Sequence, residues 1–264
     1  MTTNRQTFNY HTHTFRCGHA EIRDDEDYVK SAIKAGFKTL GFSDHGPYKN
    51  YSKKGDRMDY DEMQGYLDSI NSLKKKYEKQ IRILTGFEFE YFDELSDELE
   101  ELSKVSDYLI LGQHYPDPTA VTDYCLNCGD HDNLLKYSYL VRKGMNTGKF
   151  IYLAHPDYFC GSIYDFDDDC VRISKEICAE AEKTNTPLEV NIKLQKRKPR
   201  EYSCGNVVMY PFYKFWEIAQ DYDIKAVYGF DAHDPEILED MDNYTKADRI
   251  LEGLNISFIK DELI

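Results

Sequence analysis

The chain is 264 residues long, 41% hydrophobic and 31% charged, a composition that supports a sizeable core and excludes the disordered class. Its 33 Lys and Arg against 48 Asp and Glu leave a net charge of −15, which argues against nucleic acid as a partner because phosphate backbones need a basic footprint. No run approaches the ~18 apolar residues of a membrane span, and the start MTTNRQTFNYHTH lacks the apolar core of a signal peptide, so no membrane partner and a cytoplasmic location are expected.

Short β-branched or aromatic runs alternate with longer stretches of helical spacing about seven times, the order of a parallel sheet covered by helices. Thr7 to His13 reads as a strand, Asp27 to Gly36 as a helix and Thr39 to His45 as a second strand, which completes one βαβ unit. Asp61 to Lys79 predicts a long amphipathic helix, Ile81 to Tyr91 a strand, Glu94 to Val105 a Glu-rich helix and Tyr108 to His114 a strand. After a loop with Pro116, Pro118 and a C-x-x-C at Cys125 and Cys128, Leu134 to Gly144 reads as helix and Phe150 to His155 as strand. Asp168 to Lys183 predicts a helix, Pro187 to Ile192 a strand, Tyr210 to Gln220 a helix and Ala226 to His233 a strand. Ala247 to Gly253 and Ile256 to Ile259 close the chain as a helix and a short extended piece.

No Gly/Ser tract or low-complexity block interrupts this rhythm, so one α/β, barrel-like domain over residues 1–264 is the expectation. The longest irregular stretches, 46–60, 115–132, 156–167 and 193–209, all follow strands. In a βα barrel those loops build the active-site face. The seven Cys are odd in number and irregularly spaced, which predicts reduced thiols, and the C-x-x-C lacks a second pair and reads as a loop feature.

Eight His are present, and five segments carry six of them to predicted strand ends: YHTH, FSDH, LGQH, LAH and FDAH. In a parallel barrel those ends converge on one mouth. His11 and His13 are spaced i, i+2, as are Asp231 and His233, a spacing that points both side chains of a strand to one face. Glu88 ends another strand and adds a carboxylate able to bridge two cations, and His19 follows the first pair closely. The candidate ligands are therefore His11, His13, His19, His45, Glu88, His114, His155, Asp231 and His233. Imidazole with carboxylate suits Zn, Mn or Fe better than Ca or Mg, and nine ligands exceed one ion's needs, so two or three divalent ions are expected. His131 in GDHDN follows no strand and reads as a helix-entry residue outside the set.

The segments HTHTFRCGHA, GFSDHGP, GFEFEYF, LGQHYP, AHPD and GFDAH, in that order, resemble the PHP (polymerase and histidinol phosphatase) metal-dependent phosphoesterases. The HTHTFRCGHA segment, with LEVN followed later by Tyr210-Pro211, is most similar to the PHP-type histidinol-phosphatases. The resemblance implies a distorted (β/α)7 barrel with a trinuclear centre at its mouth. It carries His11, His13, Glu88 and Asp231 to one metal, Glu88, His114 and His155 to a second, and His19, His45 and His233 to a third. It implies hydrolysis of L-histidinol phosphate to L-histidinol and inorganic phosphate by a metal-bridging hydroxide, with Glu88, Asp231 and His233 as catalytic residues. Another small phosphate monoester or nucleotide is the alternative substrate.

Such hydrolysis needs a nucleophile at neutral pH, and a metal lowers the pKa of bound water from 15.7 toward ~7. A substrate phosphate also calls for an Arg fork. Arg16 lies between two ligands, and Arg197 and Arg200 lie in the post-strand loop KLQKRKPRE, so these three are the candidates, with Asn191 as a substrate-orienting residue. Here the chain departs from its relatives, whose EINTxGxRK becomes EVNIKLQKRKPRE, so the phosphate-binding arginine is not fixed by the resemblance. Glu90 shares a face with Glu88, Asp44 points oppositely to its neighbour His45, and the acidic run Asp165 to Asp169 reads as a helix start.

Overall fold

Seven extended segments hydrogen-bond in a closed parallel ring, seen in a computed structural model that describes residues 6–51, 55–119, 131–163, 165–193, 200–202, 205–207 and 210–264. Strands β1 (Phe8–Asn9), β2 (Thr39–His45), β3 (Arg82–Phe89) and β4 (Tyr108–Leu111) lie side by side in sequence order, each parallel to the next. Leu153 then bridges Leu111 on one side and Leu188 of β5 (Leu188–Asn191) on the other. After a short antiparallel ribbon of β6 (Arg200–Tyr202) and β7 (Gly205–Val207), β8 (Lys225–Gly229) pairs in parallel with β5. The chain beyond β8 closes the ring, where Ala232 bridges Thr12.

Around the ring lie α1 (Asp25–Ala35), α2 (Met63–Tyr77), α3 (Ser96–Val105), α4 (His131–Asn146), α5 (Asp168–Thr184), α6 (Tyr213–Ala219) and α7 (Asp242–Ile250). Their ends are chemically marked. The first turn of α1 carries Asp25, Glu26 and Asp27 against the positive end of the helix dipole. The acidic run at 165–169 starts α5 as the sequence predicts, with the Asp167 side chain accepting from the Cys170 N–H.

Two-residue periodicity sorts the strand side chains into an outer and an inner layer. In β3, Phe87 faces outward to Tyr66 of α2 with ring centroids 5.2 Å apart, while Leu84 joins an inner cluster of Phe8, Tyr10, Tyr108, Ile110, Tyr152, Ala154 and Val227. The single Tyr108 O–H is shared between the carbonyls of Tyr10 (2.7 Å) and Phe42 (3.0 Å), so the polar end of this ring is satisfied inside the plug. Two steps of the same phase beyond Leu84 stands Glu88. The barrel therefore has an apolar floor beneath a polar mouth.

The ring is distorted at the seam between its first and last staves. Below the Thr12–Ala232 bridge side chains stand in for backbone pairing: Gln6 Nε2 donates to the Tyr228 carbonyl (2.9 Å), the Tyr228 N–H donates back to Gln6 Oε1 (3.0 Å), and the Phe230 N–H donates to Asn9 Oδ1 (3.1 Å). A further strand, β9 (Ser257–Phe258), pairs with the start of β8.

Four expectations are corrected. Thr7 to His13 pairs regularly only at Phe8–Asn9, because Asn9 Nδ2 takes the His11 carbonyl (3.0 Å) and Thr12 Oγ1 (2.8 Å). The strand expected from Phe150 to His155 contracts to the bridge at Leu153, since His155 turns into the left-handed region with φ 30°. The last helix begins at Asp242, not Ala247, anchored by buried Tyr244 against Tyr228 and Phe230. Residues 193–209, expected to be irregular, hold the β6–β7 ribbon. The Cys125/Cys128 motif lies outside the described residues, among which no helix is long and apolar enough to cross a membrane.

Candidate metal centre

The strand ends deliver their histidines to Glu88. Five imidazoles place a ring nitrogen within 3.4 Å of its carboxylate, which is itself 1% exposed. Oε1 meets His155 Nε2 at 2.8 Å and His114 Nε2 at 3.4 Å. Oε2 meets His45 Nδ1 at 3.1 Å and the Nε2 atoms of His11 and His13 at 3.4 Å. One carboxylate thus joins two groups of imidazoles, one at each oxygen.

Asp231 and His233 complete the cluster from the opposite side of the ring. Asp231 Oδ1 lies 3.3 Å from His13 Nε2 and 3.1 Å from His233 Nδ1. His233 Nε2 faces His19 Nε2 at 2.8 Å, and His11 Nε2 faces His13 Nε2 at 3.1 Å. All nine ligand candidates are brought together. Asp231 at φ 45° and His155 at φ 30° both occupy the left-handed region disfavoured for residues with a side chain, a strain concentrated where their side chains enter the cluster.

A second set of carboxylates orients these rings from behind. Glu189 Oε1 takes His11 Nδ1 at 2.7 Å, and Glu90 Oε1 takes His114 Nδ1 at 3.2 Å, which leaves the Nε2 atoms of both rings turned inward. Asp44 accepts from the Thr14 N–H (3.2 Å) and the Thr14 hydroxyl, and its Oδ1 stands 3.6 Å from His13 Nδ1. Two glycines make room. A Cβ at Gly112 would lie 1.9 Å from Glu88 Oε1, and one at Gly229 would lie 1.7 Å from Glu189 Oε1.

The electrostatics match these contacts. Although burial raises the pKa of Glu88, His114, His11 and His45 hold it well below the usual carboxylate range. Burial likewise opposes ionisation of Asp231, but Lys193 and His11 hold it well below. Burial pushes His45 and His233 well below the ordinary imidazole value and His13 down to about 4, keeping these rings neutral, as metal ligation requires. His114 and His11 depart from this pattern: burial opposes the charge of His114, but Glu88 and Glu90 raise its pKa above the ordinary value, and the effect is stronger at His11. Burial opposes its charge, yet Glu189, Asp231 and Glu88 hold its pKa well above the ordinary value.

The donor set fits divalent cations. Glu88 Oε2 is buried without a hydrogen-bond donor, and facing imidazole nitrogens at 2.8 and 3.1 Å leave lone pairs that one cation between them would satisfy. Groups with ligand atoms in coordination range include His11/Glu88/His155, His11/His13/Asp231 and His13/His45/His233. These buried clusters are consistent with metal binding.

The substrate-side expectations fare differently. Arg16 is bound elsewhere: its Nη1 donates to both oxygens of Asp25 (2.9 and 3.0 Å) and to Thr14 Oγ1 (3.1 Å), because the short turn Phe15–Cys17 swings it toward α1. Asn191 is turned to the protein, its Nδ2 donating to Glu189 Oε2 (3.0 Å) and Asp231 Oδ2 (3.2 Å). Arg197 lies outside the described residues, as does the side chain of Arg200, whose backbone begins β6.

Four residues at the site escape the sequence reading. Glu189 could have been found as the residue two before Asn191 on the same strand face. Lys193 reaches Asp231 Oδ1 at 2.9 Å and His233 Nε2 at 3.5 Å. Arg57, 3% exposed, donates to the Gly46 carbonyl (3.0 Å) and stands 3.4 Å from Glu90. The buried Cys17 thiol, its pKa raised by burial, lies in range of His19 and His233.

Comparison with known proteins gives this geometry a family context. The PHP domain model matches residues 9–193. A histidinol-phosphatase of Bacillus subtilis is 30% identical over 131 residues, covering 46% of this chain and 47% of the relative, so the match spans about half the relative's length. A Clostridium acetobutylicum protein that carries a phosphatase name is 25% identical over 248 residues, 93% of this chain and 85% of that one. The solved structure of a histidinol phosphate phosphatase from Lactococcus lactis, in complex with Zn, L-histidinol and phosphate, superposes with a TM-score of 0.74 at 17% identity, covering 96% of this chain and 95% of that one.

Proposed function

The chain belongs to the PHP domain family, and from that premise we propose that it is a metal-dependent phosphomonoesterase that hydrolyses L-histidinol phosphate to L-histidinol and inorganic phosphate. The observation that carries the reading is the buried Glu88 carboxylate with five imidazole nitrogens within 3.4 Å. In this assignment His11, His13, Glu88 and Asp231 hold one divalent ion, Glu88, His114 and His155 a second, and His19, His45 and His233 a third. When bound, the ions supply a water nucleophile at neutral pH and offset the phosphate's charge.

The protein's own residues do the positioning. Glu88 links the two groups of rings through its separate oxygens, so it fixes how far apart they stand. Glu189 and Glu90 set which ring nitrogens of His11 and His114 face inward, and the strand backbone holds Asp231 and His233 opposite. The apolar plug of Phe8, Tyr10, Tyr108 and Tyr152 seals the site from beneath, which strengthens charge interactions in the mouth. With Zn, Mn or Fe each compatible with these donors, metal identity follows supply as much as ligand type.

The histidinol phosphate reading draws on the Bacillus relative and on the ligands of the Lactococcus structure. A substrate panel at saturating metal tests it. L-Histidinol phosphate is expected to exceed nucleoside monophosphates and sugar phosphates in kcat/KM by about tenfold or more, a difference of ~1.4 kcal/mol in transition-state binding. A higher value for another small monoester would reassign the substrate and leave the phosphomonoesterase chemistry in place.

A further inference from the structure

We propose that Lys193 is the cation that receives the substrate's phosphate at this centre, an inference that rests on the phosphomonoesterase reading. The carboxylates of Glu88, Glu90, Asp44, Glu189 and Asp231 around this mouth offset much of the charge that bound divalent ions would bring, so an entering phosphate dianion gains from a further cation that faces it. Among the described residues, Lys193 is the Lys or Arg whose charged end touches the nine ligand candidates, at 2.9 Å from Asp231 Oδ1 and 3.5 Å from His233 Nε2.

Its placement is built by the strand before it. The Lys193 N–H donates to Asn191 Oδ1 at 3.0 Å, which fixes the backbone just past β5, and Asn191 Nδ2 in turn holds Asp231 Oδ2 at 3.2 Å. The Lys193 side chain remains 26% exposed, so one end of its reach is the cluster and the other is solvent. Its ammonium carries three N–H donors, and Asp231 Oδ1 needs only one. Among the described residues the neighbouring cations are committed. Arg57 is 3% exposed, covered by Tyr48 at 3.9 Å and tied to the Gly46 carbonyl. Arg16 is tied to Asp25. The cation sought in the arginines thus stands in this chain at a lysine two residues beyond Asn191.

Binding of inorganic phosphate to the metal-loaded protein is the direct test, because it requires no turnover. Calorimetric titration of phosphate into wild type, Lys193→Met and Lys193→Arg is run with the metal content of each sample measured. Lys193→Met is expected to weaken phosphate about tenfold or more at unchanged metal content, with Lys193→Arg recovering part of the loss because a cation is restored in a different shape. Product inhibition by phosphate with p-nitrophenyl phosphate as substrate should move in parallel, with KM rising more than kcat falls. Phosphate affinity within twofold of wild type in Lys193→Met would overturn the assignment, as would a loss that follows metal content alone. Should the protein bind phosphate through Lys193 yet hydrolyse no monoester, the functional reading fails and the lysine assignment stands.

Discussion

Glu189 Oε1 lies 2.7 Å from His11 Nδ1, and both side chains are wholly buried. The other oxygen, Oε2, accepts from the His155 N–H at 2.9 Å and from Asn191 Nδ2 at 3.0 Å. One carboxylate on β5 therefore sets a ring on the first stave, the backbone of a second ligand and the amide that steadies Asp231. The space it occupies exists because position 229 on β8 has no side chain.

Glu189→Gln should reduce metal affinity or activity about 10- to 100-fold, the usual cost of losing a carboxylate behind a metal-binding histidine. The amide is nearly isosteric, so the loss reflects the ring's orientation and basicity, not a cavity. Metal affinity measured by competition with a chelator, beside kcat/KM, checks this; a variant indistinguishable from wild type in both would remove Glu189 from the centre.

Gly112→Ala should strip the centre more than it destabilises the fold, since the new Cβ would stand 1.9 Å from Glu88 Oε1 and the carboxylate must move. Gly65→Ala in α2 is the control. Nothing lies within 4 Å of that Cβ, and replacing a helical Gly there should stabilise by roughly 0.5–1 kcal/mol. Chemical denaturation and elemental analysis of both variants separate the two effects.

Removal of metal should lower activity and melting temperature together, because ions that bind only the folded state stabilise it by mass action. Elemental analysis of Zn- or Mn-supplemented protein is expected to give two or three ions per chain, from the nine ligand candidates brought together here. A stoichiometry at or below one with full activity would sink the multinuclear assignment.

Glu88→Gln and His114→Ala should abolish turnover while circular dichroism stays close to wild type, because the pair stands 3.4 Å apart inside the cluster and contributes little to apolar packing. His131, the first residue of α4, is expected to tolerate alanine. Equal damage from His131→Ala and His114→Ala would return the eighth histidine to the site.

The nine ligand candidates were legible because strand ends in a parallel barrel share one mouth, and because i, i+2 spacing survives even where the ladder does not: His11 and His13 face each other at 3.1 Å although regular pairing stops at Asn9. The strand over 39–45 was legible to the residue, and its register with β3 sets His45 beside Glu88. Glu189 was not, since in the sequence LEVN it looks like one alternating position of a short strand, and its partner His11 is 178 residues away. Lys193 begins a basic loop in which any one charge reads as solvated. Arg16 turns to Asp25 for a local reason, because lying between two ligand candidates fixes a backbone and not a side chain.

Arg16→Ala should therefore cost stability and spare catalysis. The guanidinium is 12% exposed and its partner Asp25 only 4%, so the pair is largely dry, and the ring of Phe15 covers it at 4.5 Å. Breaking a buried pair by deleting one partner costs roughly 3–5 kcal/mol, because the remaining charge is left uncompensated. Here Ser69 Oγ still donates to Asp25 Oδ2, and the arginine keeps some solvent, so a loss of about 2–3 kcal/mol is expected in urea denaturation. The kcat/KM of the folded fraction should remain within about threefold of wild type. Arg197→Ala and Arg200→Ala are measured alongside with Lys193→Met as reference. If Arg16→Ala instead lost kcat/KM about tenfold with its unfolding curve unmoved, the guanidinium would have to leave Asp25 for the substrate, and the division of labour between a lysine at the phosphate and an arginine holding the loop would be reversed.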